Sequence, residues 1–454
     1  MHTTSQPGNQ RYSRRLGGLL FLLATLISPL FAQAQGLIRD AEIEATLKRI
    51  AAPLFKSAGI SANSIEILVV NDPSLNAFVI NNRAIFLHSG LIMRLQSMEM
   101  LQSVIAHELA HVTSGHIIRR AANQRSAMTA IGIGMLLSIA VSASGNTEAG
   151  AGIALGVAGG AQNNLLRHTR AEETTADQIG LQYLVFAGIN PNASIDVLKI
   201  FKGQETLSIG RQDGYARTHP LSADRIRALE GLINIYGGQT KAQPTDLPQL
   251  HKRMQAKFRG FLNSPTTALR RVKADDTSES ARLTRAIAYH RLPDAAKSMA
   301  EMNTLLAQHP DDAYYHELKG QFLLENGQVQ SAVVAYKKAV ELAPKEALIL
   351  AGYGRALLSQ GTRSGDKLAL DVLRQARDKD PRDAQMLRDL ALAWAKAGNN
   401  GMASLITAER YALLTQFQDA YTNAVRAEGL LPPGSSGWLQ AQDMIAATKT
   451  ALKK

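Results

Sequence analysis

The feature that most constrains the fold of this 454-residue chain is a spacing of 34 residues in its second half. Pro310 and Pro344 are separated by that interval, and between them lie the small and aromatic residues Gly320, Ala332, Tyr336 and Ala339. A fixed period of this length is typical of paired-helix repeats, each of which buries its apolar face only against its neighbours. A plain helical bundle is the alternative, and the fixed proline spacing argues against it.

The period and the residue types resemble those of the tetratricopeptide repeat. The match is imperfect, because His316 stands where that repeat usually has Trp and Lys319 where it usually has Leu. A further copy continues to Pro381, and weaker copies flank the pair. We therefore predict an all-α tetratricopeptide-repeat solenoid over residues 277–454, after a connecting helix or linker at 251–276. Three or four such repeats form a concave face that binds other proteins.

The N-terminal 34 residues have the order of a secretory signal peptide. Three arginines precede an apolar run that contains the helix-breaking Pro29 and ends in Ala32, Gln33 and Ala34. This small-x-small ending predicts cleavage after residue 34 and export of the mature protein. The alternative is an uncleaved membrane anchor, which the proline and the small-residue ending disfavour.

The amino-acid composition excludes some kinds of metal site and some classes of binding partner. The chain has no cysteine, which excludes disulfides, thiolate nucleophiles and Cys-ligated zinc, so any metal is held by nitrogen and oxygen. Removal of the signal peptide takes away three arginines and no acid, which lowers the formal net charge from +12 to +9. No block of Lys and Arg interleaved with aromatic residues is present. We therefore expect no nucleic-acid partner and only a weak preference for anionic surfaces.

The stretch VIAHELAHVTSGH, residues 104–116, contains the pattern H-E-x-x-H. On a helix, His107 and His111 lie four residues apart on one face and can bind one metal ion together. Glu108 then stands beside the metal, where it can accept a proton from an attacking water. Ser97 is a plausible N-cap for this helix. The alternative is a His-rich segment of an ordinary helical protein, because the pattern alone is not specific.

A second helix, predicted at residues 165–188, supplies candidates for the rest of the site. A catalytic zinc bound by two His needs a third protein ligand, and Glu173 can provide a carboxylate. Asp177 follows one turn later on the same face, where it can accept a hydrogen bond from a ligating imidazole. A solvated helix face is the alternative for this Glu–Asp pair, but the H-E-x-x-H pattern upstream favours the metal site.

Residues 35–250 are expected to form the domain that carries both helices. An amphipathic helix is predicted at residues 40–59, and the apolar stretches 64–70 and 83–90 are typical of short strands, with a third strand between them. A small sheet beside the H-E-x-x-H helix gives an α+β core.

The segment Met128–Ala161 is rich in Ala, Gly and Ile, and its two apolar runs are each shorter than a membrane span. We expect a pair of buried helices that close over the core. The alternative is a mobile hairpin that gates the cleft or makes peripheral contact with a membrane or partner.

Three stretches resemble the family of zinc metalloproteases that includes HtpX and the CAAX prenyl endoprotease. They are HELAH at 107–111, RAEETTADQIG at 170–180 and THPLSADRI at 218–226. The resemblance covers roughly residues 40–235, including NAFVINNRAIF at 76–86, although INN stands where the family often has Pro-Gly-Gly. It implies a zincin-type (gluzincin-like) α+β fold, one zinc ion per chain and Glu173 as the third ligand.

The same resemblance implies roles for two residues of the third stretch. It puts His219 and Arg225 near the zinc, where they stabilise the oxyanion of the tetrahedral intermediate. Alternatively, His219 binds zinc directly and blocks the water position, which would make the enzyme latent. His116 and His168 fit no ligand position and are expected to be ordinary polar residues.

An exported protease core joined to a repeat array resembles the members of this family that act in outer-membrane protein quality control. This implies a periplasmic zinc metalloendopeptidase, free or peripheral to the outer membrane, that degrades misassembled β-barrel proteins and has a chaperone-like role. Its implied partners are outer-membrane β-barrel proteins and their assembly machinery, contacted through the repeats, and its substrates are unfolded or misassembled proteins. The alternative is a tetratricopeptide scaffold or chaperone that carries a latent metal site.

Overall fold

The computed structural model describes residues 36–61, 64–116, 170–207, 211–220, 223–236 and 240–453. The predicted signal peptide, the segment Met128–Ala161 and His168 lie outside these residues. Within the described part of the chain, no helix is both long and apolar enough to cross a membrane.

The N-terminal region contains a four-stranded mixed sheet with the strand order β1-β2-β4-β3. Its strands are β1 (Leu37–Ile38), β2 (Glu66–Val70), β3 (Ala77–Asn81) and β4 (Ala84–His88). β2 and β4 are parallel, and the other two pairings are antiparallel, with Ala77 opposite Leu87 and Phe78 opposite Phe86 in β3 and β4. β3 is therefore an edge strand of the sheet.

Eight helices of the described residues accompany the sheet and lead out of it. They are α1 (Ala41–Ser57), α2 (Ser89–Arg94), α3 (Met98–Thr113), α4 (Arg170–Ala187), α5 (Asn192–Ile200), α6 (Gly214–Thr218), α7 (Ala223–Tyr236) and α8 (Leu247–Leu262). The main core lies between one face of the sheet and helices α1 and α3, with Leu47, Ile85 and Leu101 fully buried. A smaller cluster that includes Phe78 and Phe86 covers the opposite face.

The predicted H-E-x-x-H helix is α3, and its ends follow the sequence signals. The Ser97 hydroxyl accepts a hydrogen bond from the Met100 amide, as expected for an N-cap. The helix ends before Gly115, which has a positive φ of 65°. A residue with a side chain would be strained in this left-handed conformation, so glycine is the suitable residue for the turn.

The second half of the chain is entirely helical among the described residues. Its helices are α9 (Pro265–Arg271), α10 (Glu279–Arg291), α11 (Ala295–Gln308), α12 (Ala313–Glu325), α13 (Val329–Leu342), α14 (Ala347–Ser359), α15 (Arg363–Lys379), α16 (Ala384–Lys396), α17 (Asn400–Leu413), α18 (Phe417–Leu430) and α19 (Ser436–Leu452). The ring of Tyr336 packs between the backbones of Gly320 and Gly352, where any side chain on either glycine would collide with it. The predicted α+β core followed by an all-α repeat region is confirmed.

Helix α8 packs against both parts of the chain. Met254 and Phe258 lie in the core of the N-terminal region, whereas Ala256 lies in the cluster of the first repeat helices. The ammonium group of Lys257 is 2.6 Å from a carboxylate oxygen of Asp40 and 3.3 Å from one of Glu42. The segment that we predicted as a connection, residues 251–276, thus contains most of a buried helix. The predicted domain boundaries remain predictions.

Candidate metal centre

The site forms where helices α3 and α4 cross in close contact. Gly180 of α4 lies against the backbone of α3, and a Cβ atom at this position would be 3.2 Å from the Ala106 carbonyl and the His107 amide nitrogen. A larger residue would push the helices apart. Because Glu173 lies two turns before Gly180 on α4, this crossing brings its carboxylate to the histidines of α3.

Four buried side chains converge at this crossing: His107, His111, Glu173 and His219. The Nε2 atoms of His107 and His111 are 3.1 Å apart. The Glu173 carboxylate oxygens are 3.3 Å from His111 Nε2 and 3.4 Å from His107 Nε2. Zinc bonds of about 2.0–2.2 Å in a tetrahedral site separate the ligand atoms by about 3.3–3.6 Å. The spacing of these groups therefore fits one metal ion.

The electrostatics of the cluster also fit a cation. Burial alone would raise the pKa of Glu173, but the charges of His219 and Arg225 and hydrogen bonds from His107 and His111 hold it well below its usual value. Burial lowers the pKa of His111 to about 3, so its imidazole is neutral and retains a lone pair for a metal. The cluster thus combines an anionic carboxylate with a neutral imidazole.

Glu108 follows His107 directly on helix α3, and its side chain is fully buried beside the cluster. Neither of its carboxylate oxygens has a hydrogen-bond partner of acceptable geometry among the described residues, although one lies 3.3 Å from His219 Nε2. Burial raises the pKa of Glu108 above its usual value. A raised pKa makes a carboxylate a better proton acceptor near neutral pH.

Asp177 and Arg225 contact two members of the cluster, His107 and Glu173. An oxygen of Asp177 is 3.0 Å from His107 Nδ1, the ring nitrogen that faces away from the cluster. The Arg225 guanidinium donates to both oxygens of Asp177, at 2.7 and 2.8 Å, and its Nη1 is 2.8 Å from Glu173. Burial works to lower the pKa of His107, but the hydrogen bonds that its ring donates to Asp177 and Glu173, and the charges of those carboxylates, raise it to about 10.

His219 reaches the cluster from α6, which is attached to the start of β3. The Tyr215 amide donates to the Leu75 carbonyl at 2.8 Å, and the Thr218 hydroxyl donates to the Asn76 side chain at 3.2 Å. These contacts direct the His219 ring inward, where Nδ1 is 3.0 Å from Glu173 and 3.3 Å from His107 Nε2. His219 is fully buried.

The model of the protein family described as "Peptidase family M48" matches residues 38–233 of this chain. The model described as "Tetratricopeptide repeat" matches residues 283–347. The matched N-terminal range contains all the residues of the cluster. Residues 38–233 are a Peptidase family M48 domain. The protein is thus a metalloprotease with a tetratricopeptide-repeat region, and the family implies a metal, for which the His and Glu cluster is the candidate site.

This chain is similar to proteins named as proteases in several organisms. The "Beta-barrel assembly-enhancing protease" of Escherichia coli strain K12 is 24% identical over 88% of this chain and 81% of its own length. The "Putative beta-barrel assembly-enhancing protease" of Vibrio cholerae is 26% identical over 88% of this chain and 83% of its own length. The "Mitochondrial metalloendopeptidase OMA1" of Schizosaccharomyces pombe is 30% identical over 41% of this chain and 51% of its own length.

The role of His116 beside the candidate metal site was not predicted from the sequence. His116 was expected to be an ordinary polar residue, yet it is only 1% exposed and its Nδ1 lies 2.9 Å from Nδ1 of His111. The available signal was Gly115, because a glycine just after a helix allows the chain to reverse and return the next residue to the last turn. All of the other residues predicted for the site lie in or against the cluster.

Proposed function

We propose that the protein is a periplasmic zinc metalloendopeptidase that acts in the assembly and quality control of outer-membrane β-barrel proteins. The proposed peptidase activity is supported above all by the spacing of His107, His111 and Glu173, which fits a metal ion. The buried carboxylate of Glu108 lies beside these groups. One zinc ion per chain is the metal that this donor set suits, because two imidazoles and one carboxylate leave a fourth position open in a tetrahedral site.

Each residue of the site then has a role in peptide hydrolysis. Zinc, when bound, would polarise the scissile carbonyl and lower the pKa of the attacking water. Glu108 accepts a proton from that water and passes it to the leaving amine. Asp177 accepts a hydrogen bond from His107 Nδ1 and thereby fixes the orientation of the imidazole. Arg225 holds Asp177 and Glu173 in place; its stabilisation of the oxyanion remains a prediction.

The edge strand β3 gives this site a place for an extended substrate. His88 N donates to the Asn76 carbonyl at 3.0 Å, so in the alternating pattern of an antiparallel pair the peptide groups of Ala77 point away from β4. A substrate chain can pair with these outward-facing groups as an added strand if it displaces His219 from the Ala77 carbonyl. This supports unfolded or misassembled chains as substrates, because such chains expose extended backbone.

The names of the relatives and the repeat region support the proposed setting. The repeats offer a surface for outer-membrane β-barrel proteins or their assembly machinery, and the N-terminal sequence pattern supports export to the periplasm. Degradation of misassembled proteins and a chaperone-like activity belong to the same proposal. Peripheral membrane contact through Met128–Ala161 remains a prediction.

A second candidate function, a scaffold with a latent metal site, is favoured by the position of His219. Its Nδ1 lies close to Glu173 and to His107 Nε2, where a fourth nitrogen ligand would exclude water. Under this reading, a partner or substrate that favours the open state activates the enzyme. Both functions can belong to one protein if the open state is reached only with a client.

Two experiments test the proposal. Elemental analysis of the purified mature protein should give one zinc per chain, and Glu173→Ala or His111→Ala should sharply lower this content. Full zinc in Glu173→Ala would reassign the third ligand. In a strain that lacks the protein, Glu108→Gln should fail to restore outer-membrane protein turnover while still binding its partners. Complete rescue by Glu108→Gln would favour the scaffold.

A further inference from the structure

The C-terminal end of α3 folds back on the metal site. The Ser114 amide donates to the Ala110 carbonyl at 2.9 Å, and the Gly115 amide donates to the Val112 carbonyl at 3.1 Å. With its positive φ, Gly115 then reverses the chain. The following residue, His116, is thereby returned to the last turn of the helix and buried there.

The buried ring of His116 contacts one metal-ligand candidate, His111. Their Nδ1 atoms are 2.9 Å apart, a hydrogen-bond distance, and their ring centroids are 5.0 Å apart at an angle of 66°. The opposite nitrogen of His111, Nε2, faces Glu173 and His107. The two nitrogens of His111 thus have separate partners, one inside the cluster and one outside it.

The two histidines of the H-E-x-x-H pattern are therefore supported in different ways. His107 has a carboxylate at its outer nitrogen, Asp177, whereas His111 has an imidazole. The geometry points to His116 as a positioning residue that fixes the ring orientation and tautomer of His111 so that Nε2 presents its lone pair to the metal. This inference rests on the proposed metal site.

The protons of the pair can be assigned from this arrangement. A His111 ring that offers the Nε2 lone pair to a metal carries its proton on Nδ1. That N–H donates to Nδ1 of His116, which must then be unprotonated, so the proton of neutral His116 is on Nε2. Removal of the acceptor would leave the buried Nδ1–H of His111 without this partner and would free the ring to rotate. Loss of such an outer partner typically weakens metal binding by about 10–100-fold.

The test compares two substitutions of His116 in the full mature chain. His116→Leu removes the acceptor and keeps an apolar volume, whereas His116→Asn keeps an oxygen near the position of Nδ1. Zinc dissociation constants are measured by competition with a chromophoric chelator, and the visible absorption of the Co²⁺-substituted protein reports ligand geometry. His309→Leu, at an exposed position of the repeat region, is the control.

We expect His116→Leu to weaken zinc binding by about 10–100-fold and to alter the Co²⁺ spectrum. His116→Asn should keep a zinc affinity and a Co²⁺ spectrum close to those of the wild type. Wild-type affinity and spectrum in His116→Leu would overturn the inference, as would equal losses in the Leu and Asn variants. Failure of the wild type to bind zinc would instead overturn the proposed function and this inference together.

A measurement without substitution covers the case in which His116→Leu does not fold. In the zinc-loaded wild-type protein with ¹⁵N-labelled histidine, NMR should find His111 protonated at Nδ1 and His116 protonated at Nε2. A His116 ring that carries its proton on Nδ1 would overturn the inference, because it could not accept the hydrogen bond from His111.

Discussion

His219 connects the metal cluster to the edge strand of the sheet through a contact with Ala77. Its Nε2 lies 3.2 Å from the Ala77 carbonyl oxygen, while its Nδ1 lies among the candidate metal ligands. In the proposed zinc site the ring would therefore occupy two places that a substrate needs, the open position at the metal and a backbone acceptor of β3. A substrate strand that pairs with β3 would compete with His219 for this acceptor.

The first prediction separates latency from a catalytic role of His219. If His219 closes the site, His219→Ala should increase the basal hydrolysis of an unstructured substrate such as casein, because it opens both places at once. If His219 instead stabilises the oxyanion, the same change should lower hydrolysis by about 10²-fold or more. Initial rates at equal zinc content distinguish the two, with His309→Ala as an exposed control. A lower rate of casein hydrolysis in His219→Ala, without any rise in basal cleavage, would contradict latency.

The second prediction concerns the crossing of α3 and α4 at Gly180. A Cβ atom there would meet the backbone of Ala106 and His107 at 3.2 Å, so Gly180→Ala should separate Glu173 from the histidines and weaken zinc binding. We expect a destabilisation of about 1–3 kcal/mol as well.

The matched control for Gly180 is Gly231, an exposed position within α7 with open space where a Cβ would lie. Gly231→Ala should leave zinc affinity unchanged and stabilise the protein by about 0.5–1 kcal/mol, since alanine is the better helix former. Equal zinc affinity in the two variants would refute the role given to the helix crossing.

The third prediction concerns the buried charges that join α8 to α1. The side chain of Lys257 is fully buried against Asp40 and Glu42, so Lys257→Met takes the ammonium group away from Asp40 and leaves Glu42 with Arg253 as its ion-pair partner. Breaking a buried pair in this way typically costs about 3–5 kcal/mol. Chemical denaturation should show this loss, and limited proteolysis should then cut more readily between the M48 domain and the repeats.

Lys337→Met provides the comparison for Lys257. The Lys337 side chain is 66% exposed and 4.0 Å from Glu341, so its loss should change stability by about 0–1 kcal/mol. If both Met variants are equally stable, the buried charges around α8 contribute little to the packing of α8 against α1.

The fourth prediction is a pH dependence of stability that originates at His88. Burial lowers the pKa of His88 to about 4, against the opposing charge of Asp72, and the Ser74 hydroxyl lies 2.9 Å from its Nδ1. The unfolded chain, with a histidine pKa of about 6.5, binds a proton that the folded chain does not bind between pH 6.5 and 4. Stability is therefore fully present above about pH 6.5 and falls as the pH drops towards 4.

The measurement for His88 is the free energy of unfolding at several pH values in wild type and His88→Asn. The wild type should lose up to about 1.4 kcal/mol more per pH unit than the variant within this window. Carboxylates elsewhere affect both proteins alike, so the difference isolates His88. Parallel curves for the two proteins would show that His88 does not titrate as described.

Local patterns in the sequence predicted much of this arrangement. The Ser97 cap and the 34-residue period depend on neighbouring residues or on repetition, and both are reproduced in the structure. The three quoted stretches also indicated that His107, Glu173 and His219 belong to one site, and the structure brings them together.

The contacts that escaped prediction join residues through the tertiary fold. The hydrogen bond from His219 to Ala77 depends on how α6 is attached to β3, and the pairing of Lys257 with Asp40 joins residues far apart in sequence. The Gly180 contact depends on the angle at which two helices cross. His116 is the instructive case, because the glycine turn that returns it to α3 was visible in the sequence but its burial was not.

The hydrolytic rate of Glu108→Gln tests the central claim, that this M48 domain is a working zinc endopeptidase, most directly. Casein cleavage would be measured at equal zinc content for the wild type and Glu108→Gln, each with and without His219→Ala so that a closed resting state does not hide the result. We expect Glu108→Gln to retain zinc and to lower the rate of casein cleavage by about 10²–10⁴-fold in whichever background is active. Glu108→Gln proteins that retain both their zinc and a cleavage rate close to that of their Glu108 counterparts would contradict it.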